Sequence, residues 1–135
     1  MGEAWGQDCT VSVIPVQFGQ YITIEASAVD AIGSVNVTCG SSTPFTVKLD
    51  AGENSSDSFN PRKLRSSSSG ATLNYNLYLD SALTMVWGDG TNNTYIRSGV
   101  GTGAPQQFSI YGRIPGSQNV SFGSFNDSVT VTLEW

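Results

Sequence analysis

At 135 residues the chain has room for one domain with a single hydrophobic core. Charged residues make up 13% of it and the net charge is −5, so no basic stripe is available to displace counterions from phosphates, which argues against nucleic acid as a partner. No apolar run approaches the roughly 20 residues of a membrane-spanning helix, and histidine, the commonest general base, is absent.

Residues 1–8 lack the basic and apolar regions of a signal peptide and read as a remnant or tag ahead of one domain over residues 9–135. From Cys9 onward the apolar residues recur with period two, the signature of half-buried strands. The first such segment is Cys9–Ile14, and a second covers residues 21–26. Val35-Asn36-Val37-Thr38-Cys39, Phe45-Thr46-Val47-Lys48-Leu49 and Leu73-Asn74-Tyr75-Asn76-Leu77 alternate cleanly. Residues 95–98 and Phe108-Ser109-Ile110 continue the pattern, and Val129-Thr130-Val131-Thr132-Leu133-Glu134-Trp135 closes it. Turn chemistry separates the segments at Phe18-Gly19-Gln20, Ala51-Gly52-Glu53-Asn54, Gly88-Asp89-Gly90 and Ile114-Pro115-Gly116. Residues 80–85 offer at most one helical turn, and residues 66–70 form a solvated loop. About seven to nine short strands follow, the pattern of a two-sheet antiparallel β-sandwich. Tyr75, Trp87, Tyr111, Phe122 and Phe125 are expected to supply most of the core volume.

Cys9 and Cys39 are the whole thiol inventory. In a Ser- and Asn-rich β chain of low charge, an even count points to a disulfide and an oxidising compartment, with two buried free thiols as the alternative. Their spacing excludes a CxxC motif, and without histidine no zinc site is expected.

Catalysis would need a positioned nucleophile, base or metal. Asp80 with Asp89 is the carboxylate pair a glycosidase could use, but one ends a strand and the other sits in a Gly-Asp-Gly turn. The run from Gly88 to Asn93 lacks the alternating ligands and bidentate Glu of a calcium loop. Sequons at Asn36, Asn54, Asn92, Asn119 and Asn126 are what an Asn/Ser/Thr-rich composition produces by chance. The chain reads as a non-enzyme without cofactor or metal.

Several strings together resemble one family. Gly33-Ser34-Val35-Asn36-Val37-Thr38-Cys39 is similar to the G-x-V-x-V-x-C strand of the spore coat protein U family, which includes the pilins of archaic chaperone–usher pili. The likeness continues through Phe45-Thr46-Val47-Lys48-Leu49-Asp50-Ala51-Gly52 and Asn60-Pro61-Arg62-Lys63-Leu64. Leu73-Asn74-Tyr75-Asn76-Leu77-Tyr78-Leu79-Asp80 and Val86-Trp87-Gly88-Asp89-Gly90-Thr91 carry it most strongly. It ends with Ile110-Tyr111-Gly112-Arg113-Ile114-Pro115 and Asp127-Ser128-Val129-Thr130-Val131-Thr132.

The resemblance implies an immunoglobulin-like sandwich lacking its last strand. It also implies a structural subunit of a surface fibre or spore coat, secreted through the periplasm to the cell surface. Its partners would be a periplasmic chaperone and neighbouring subunits, each donating a β-strand; a homo-oligomer or strand-swapped dimer is the variant without a partner. The acceptor groove would be edged by Val129, Val131, Leu133 and Trp135 on one side and Val11, Val13 and Ile14 on the other. Residues 1–8, with two glycines and no alternation, make a poor donor strand. The rival reading, an adhesive tip or carbohydrate-binding module, would use Trp5, Tyr78 and Tyr95 as exposed aromatics.

Overall fold

The computed structural model describes residues 8–18, 27–118 and 123–135, and Gln20–Tyr21 through its backbone. The described residues form strands and no helix: β1 (Cys9–Ile14), β2 (Gln20–Tyr21), β3 (Val29–Cys39), β4 (Pro44–Leu49), β5 (Arg62–Ser66), β6 (Thr72–Tyr78), β7 (Arg97–Val100), β8 (Gln106–Ile114), β9 (Gly123–Asn126) and β10 (Val131–Glu134). A seven-stranded sheet has the order β1-β3-β8-β6-β5-β9-β2, and a three-stranded sheet the order β10-β4-β7. Their pairings are antiparallel.

The all-β sandwich expected from the alternation is what forms. Along β3, Val35, Val37 and Cys39 are buried while Asn36 and Thr38 are partly exposed, so one pleat face turns to the core. β4 repeats this with Phe45, Val47 and Leu49. Leu73, Tyr75 and Leu77 do so on β6. Between the sheets lies Trp87, fully buried, its indole N–H donating to the Val47 carbonyl at 3.0 Å.

Chain length forces the large sheet to curl. β1 and β2 stand at its opposite edges, six inter-strand steps apart, or roughly 29 Å along a flat sheet. The step from Ile14 to Gln20 is six residues, which reach at most about 20 Å. The two edges therefore approach one another, and the connecting strap passes over the concave face. Gly33 and Gly112 mark its path. A Cβ on Gly33 would lie 2.8 Å from the Val16 nitrogen, and one on Gly112 would lie 2.8 Å from side-chain atoms of both Val16 and Phe18. Any other residue at either place would lift the strap off the sheet.

Several expectations change. Tyr111 is half-buried, because it shares a parity with Ser109 and Arg113 on the outer face of β8; Phe45, not anticipated, is buried in its stead. Tyr75, Trp87 and Phe125 are buried as expected, and Phe122 lies outside the described residues. β5, a charged string that does not alternate visibly, forms a full strand beside β6. The strand anticipated at residues 95–98 forms at Arg97–Val100, and most of that anticipated at residues 21–26 falls outside the described residues. Residues 80–85 make turns, with the Asp80 carboxylate accepting the Thr84 and Met85 amides, each at 3.0 Å.

Candidate functional site

Among the described residues, β1 is hydrogen-bonded only to β3 and β10 only to β4, so each sheet ends in an open edge. Which backbone groups face those edges follows from the ladder. The Gly40 amide donates to the Asp8 carbonyl at 3.2 Å, so by period two the even residues of β1 exchange bonds with β3. Cys9, Val11 and Val13 then direct their N–H and C=O groups to the open side. The Cys9–Cys39 disulfide fits this register, its Cα atoms 4.1 Å apart as in a non-hydrogen-bonded pair. On the other sheet the Asp50 amide donates to the Thr130 carbonyl at 3.1 Å, which leaves the groups of Val131 and Leu133 facing outward. For Val11 and Val13 on β1, and Val131 and Leu133 on β10, the backbone groups that face outward belong to residues whose side chains turn to the core.

A cleft of about 630 Å³ opens beside these edges. One wall is Val13 with residues 15–18, and the other is residues 124–129 with Val131. Its floor is Leu49, Leu64, Tyr75, Leu77 and Ile110. Of the residues expected at a groove, Val13, Val129 and Val131 line this cleft. Val11 shares the pleat face of Val13 and, like it, is 40% exposed; Leu133 packs against the core. Ile14, of opposite parity, turns away from the cleft, and Trp135 is exposed at the chain end; neither lines it.

Polar contacts fix the wall that carries Val129 and Val131. The Tyr75 hydroxyl donates to Asp127 Oδ2 at 2.5 Å. Asp127 Oδ1 accepts from the Glu53 amide at 2.9 Å, the Asn54 side-chain amide at 3.1 Å and the Ser128 amide at 3.0 Å. Burial, and then the bond to Asp127, push the Tyr75 hydroxyl far above the ordinary phenol range. Asp50 anchors the entry to β10 by accepting the Thr130 amide at 3.0 Å. The Asp50 carbonyl in turn is gripped by Arg62, through Nε at 3.0 Å and Nη2 at 2.6 Å. Arg62 is fully buried and also donates to the Trp87 carbonyl and to Asn76 Oδ1, at 2.6 and 2.9 Å. Burial lowers its pKa, with Tyr75, Asp50 and Asp127 opposing.

The strap forms the other wall without strand pairing of its own. Val16 and Phe18 pack against the core, and the Phe18 ring meets Tyr75 edge-on with centroids 6.0 Å apart.

Asp80 and Asp89 are held as turn caps. Asp80 is bonded to the Thr84 hydroxyl and amide, Asp89 to the Thr91 hydroxyl at 2.5 Å and amide at 2.9 Å, and these bonds hold both carboxyls below the usual carboxylate range. No group of metal-ligating side chains occurs among the described residues. Tyr78 is half-buried and Tyr95 exposed, each bridging to the segment Val86–Trp87, and neither lines the cleft; Trp5 lies outside the described residues. Sequence reasoning missed the strap, Arg62 and the Tyr75–Asp127 bond. Glycine inside an otherwise alternating strand, at positions 33 and 112, was the signal for the strap.

The fold has a counterpart among the proteins of chaperone–usher pilus assembly. It superposes with a TM-score of 0.69 on a chain of the CsuC–CsuE chaperone–tip adhesion subunit pre-assembly complex from the archaic Csu pili of Acinetobacter baumannii. That likeness, at 22% identity, covers 95% of this chain but 39% of the other. The sequence matches the Spore Coat Protein U domain over residues 3–132, and the chain belongs to that family. It is 30% identical to Protein U of Myxococcus xanthus over 129 residues, 87% of this chain and 70% of that protein. Family and fold are those of structural subunits.

Proposed function

We propose that this domain is a non-enzymatic building block of a surface fibre or coat, completed by a β-strand from another polypeptide. The strand lies in the cleft, pairing with the open edge of β10 or β1 and setting alternate apolar side chains on the floor. The observation that carries this reading is that the backbone groups of Val13 and Val131 face open edges while their side chains line one apolar cleft. An exposed edge of this kind associates with other chains unless it is covered. A periplasmic chaperone would cover it in transit, and a neighbouring subunit in the assembled structure. The secreted route fits the Cys9–Cys39 disulfide.

The test is size-exclusion chromatography with light scattering and thermal melting, with and without a synthetic peptide of alternating apolar residues. Association or aggregation alone, replaced by a higher-melting monomer with peptide, is the expected result. A stable monomer indifferent to peptide would overturn strand acceptance and turn attention to adhesion through Tyr78 and Tyr95.

A further inference from the structure

The three-stranded sheet has two edges, and its backbone offers both of them to a partner. Among the described residues, β10 and β7 are each paired on one side only, to β4. The Gly101 amide donates to the Thr43 carbonyl at 2.7 Å, so by period two the odd residues of β7 exchange bonds with β4. Ser98 and Val100 then direct their N–H and C=O groups outward, as Val131 and Leu133 do on β10. The inward side differs. Beside β10 lies the cleft with its largely aliphatic floor. Beside β7 the space is taken. At Gly99 the Phe45 ring fills the place of a side chain, a Cβ there falling 2.6 Å from the ring's Cζ. Arg97 turns inward, its guanidinium carbon 5.9 Å from the Trp87 ring centroid and 5.4 Å from that of Phe108. Its Nη2 donates to the Leu79 carbonyl at 3.0 Å, just past the end of β6, while its Nε is buried without a hydrogen bond. At the other end of β7, the side-chain amide of Gln106, the first residue of β8, donates to the outward Val100 carbonyl at 3.1 Å.

We infer that Arg97 and Gln106 close the β7 edge to strand addition, so that an incoming strand is steered to β10. A buried N–H left unbonded is unfavourable, so packing alone is a poor reason for an arginine at this place. An inward-pointing charge on a short edge strand, in contrast, opposes pairing with another chain. A strand laid against β7 would set an apolar side chain against the guanidinium and strip water from a cation without giving it a partner. It would also compete with Gln106 for the Val100 carbonyl. Beside β10 the same side chain covers Leu49, Leu64 and Leu77 instead, and gains by doing so. This rests on the strand-acceptor reading and names the residues that choose between the two edges of one sheet.

The experiment counts bound strands. The whole chain is titrated to saturation with a fluorescent peptide of alternating apolar residues, and the number bound per chain is read by native mass spectrometry. The unaltered chain should hold one peptide. Arg97→Leu with Gln106→Ala keeps apolar bulk over Trp87, removes the charge and frees the Val100 carbonyl. That double variant should hold two peptides, its second site gaining about tenfold or more in affinity. Gln106→Ala alone alters one exposed contact and should reveal the second site with a smaller gain, whether or not the double variant folds. Adding Ser98→Pro, which removes an outward N–H from β7, should abolish the second peptide and spare the first. One peptide per chain in both variants, or a second peptide indifferent to Ser98→Pro, would overturn the closed edge and leave strand acceptance standing. No peptide on the unaltered chain would remove both.

Discussion

β1 and β3 lie side by side in one sheet and carry the same alternation, yet their inward side chains meet different fates. Val35 and Val37 are fully buried, while their direct partners Val13 and Val11 are each 40% exposed. Nothing in their chemistry separates them; the difference is what lies above. Val35 and Val37 share a core with Phe45, Val47 and Leu49 of the three-stranded sheet, whereas Val13 borders the cleft that also holds Val131. The contrast locates the rim of the cover over the large sheet, and it shows that an apolar residue reports where the opposing layer stops as much as where a core begins.

Several measurements would break or sharpen this contrast between a covered and an uncovered region. The largest effect belongs to the covered side. Arg62→Met strands the carbonyls of Asp50 and Trp87 and the Asn76 side chain, and should cost about 3–5 kcal/mol in denaturant unfolding. A loss below about 1 kcal/mol would mean that these bonds do not hold that region together. Next comes the staple at the uncovered edge. Cys9→Ser with Cys39→Ser should cost about 3 kcal/mol in the chain-entropy account, read from unfolding midpoints with and without reductant.

The paired valines give the most direct comparison. Val35→Ala should cost about 2 kcal/mol and Val13→Ala less than about 1 kcal/mol in the isolated chain. With a bound donor peptide the Val13→Ala cost should rise toward that of Val35→Ala. Equal costs without peptide would mean that Val13 is already covered in solution.

Two pH limbs are smaller. The Tyr75 hydroxyl has its folded pKa raised, so its contribution is complete below the ordinary phenol pKa of about 10 and is lost above it, by up to about 1.4 kcal/mol per pH unit. Tyr75→Phe should flatten that alkaline limb in pH-dependent unfolding. The Asp80 carboxyl is lowered by its bonds to Thr84 and Met85, so its small contribution is present above the usual carboxylate range and lost as pH falls through it. Asp80→Asn should remove that slight acid dependence and little else.

How much of this could be read from the chain depends on how local the cause was. The strand at Cys9–Ile14 came out with its bounds, because period-two alternation is a property of the segment itself. β5 did not, since Arg62-Lys63-Leu64-Arg65 looks like a solvated run until Arg62 is seen enclosed by carbonyls from elsewhere in the chain. Tyr111 was misplaced for a related reason: strand type was evident, but which face of β8 turns inward is decided by its neighbours. At the cleft, Val13, Val129 and Val131 were legible as alternating edge residues. Phe18 and Asp127 were not, as they come together only when the strap crosses a curled sheet. Ile14 shows the limit from the other side, an apolar residue next to the cleft in sequence and facing away from it.

The position of the disulfide has a mechanical consequence. Cys9 is the first residue of β1, and its bridge runs directly to the last residue of β3, the longest strand and the one clamped between β1 and β8. Tension applied to the chain ahead of Cys9 thus enters β3 through a covalent bond instead of peeling β1 away one hydrogen bond at a time. The weakest edge of the sandwich is shielded from the load, and the force is delivered as shear to its best-anchored strand.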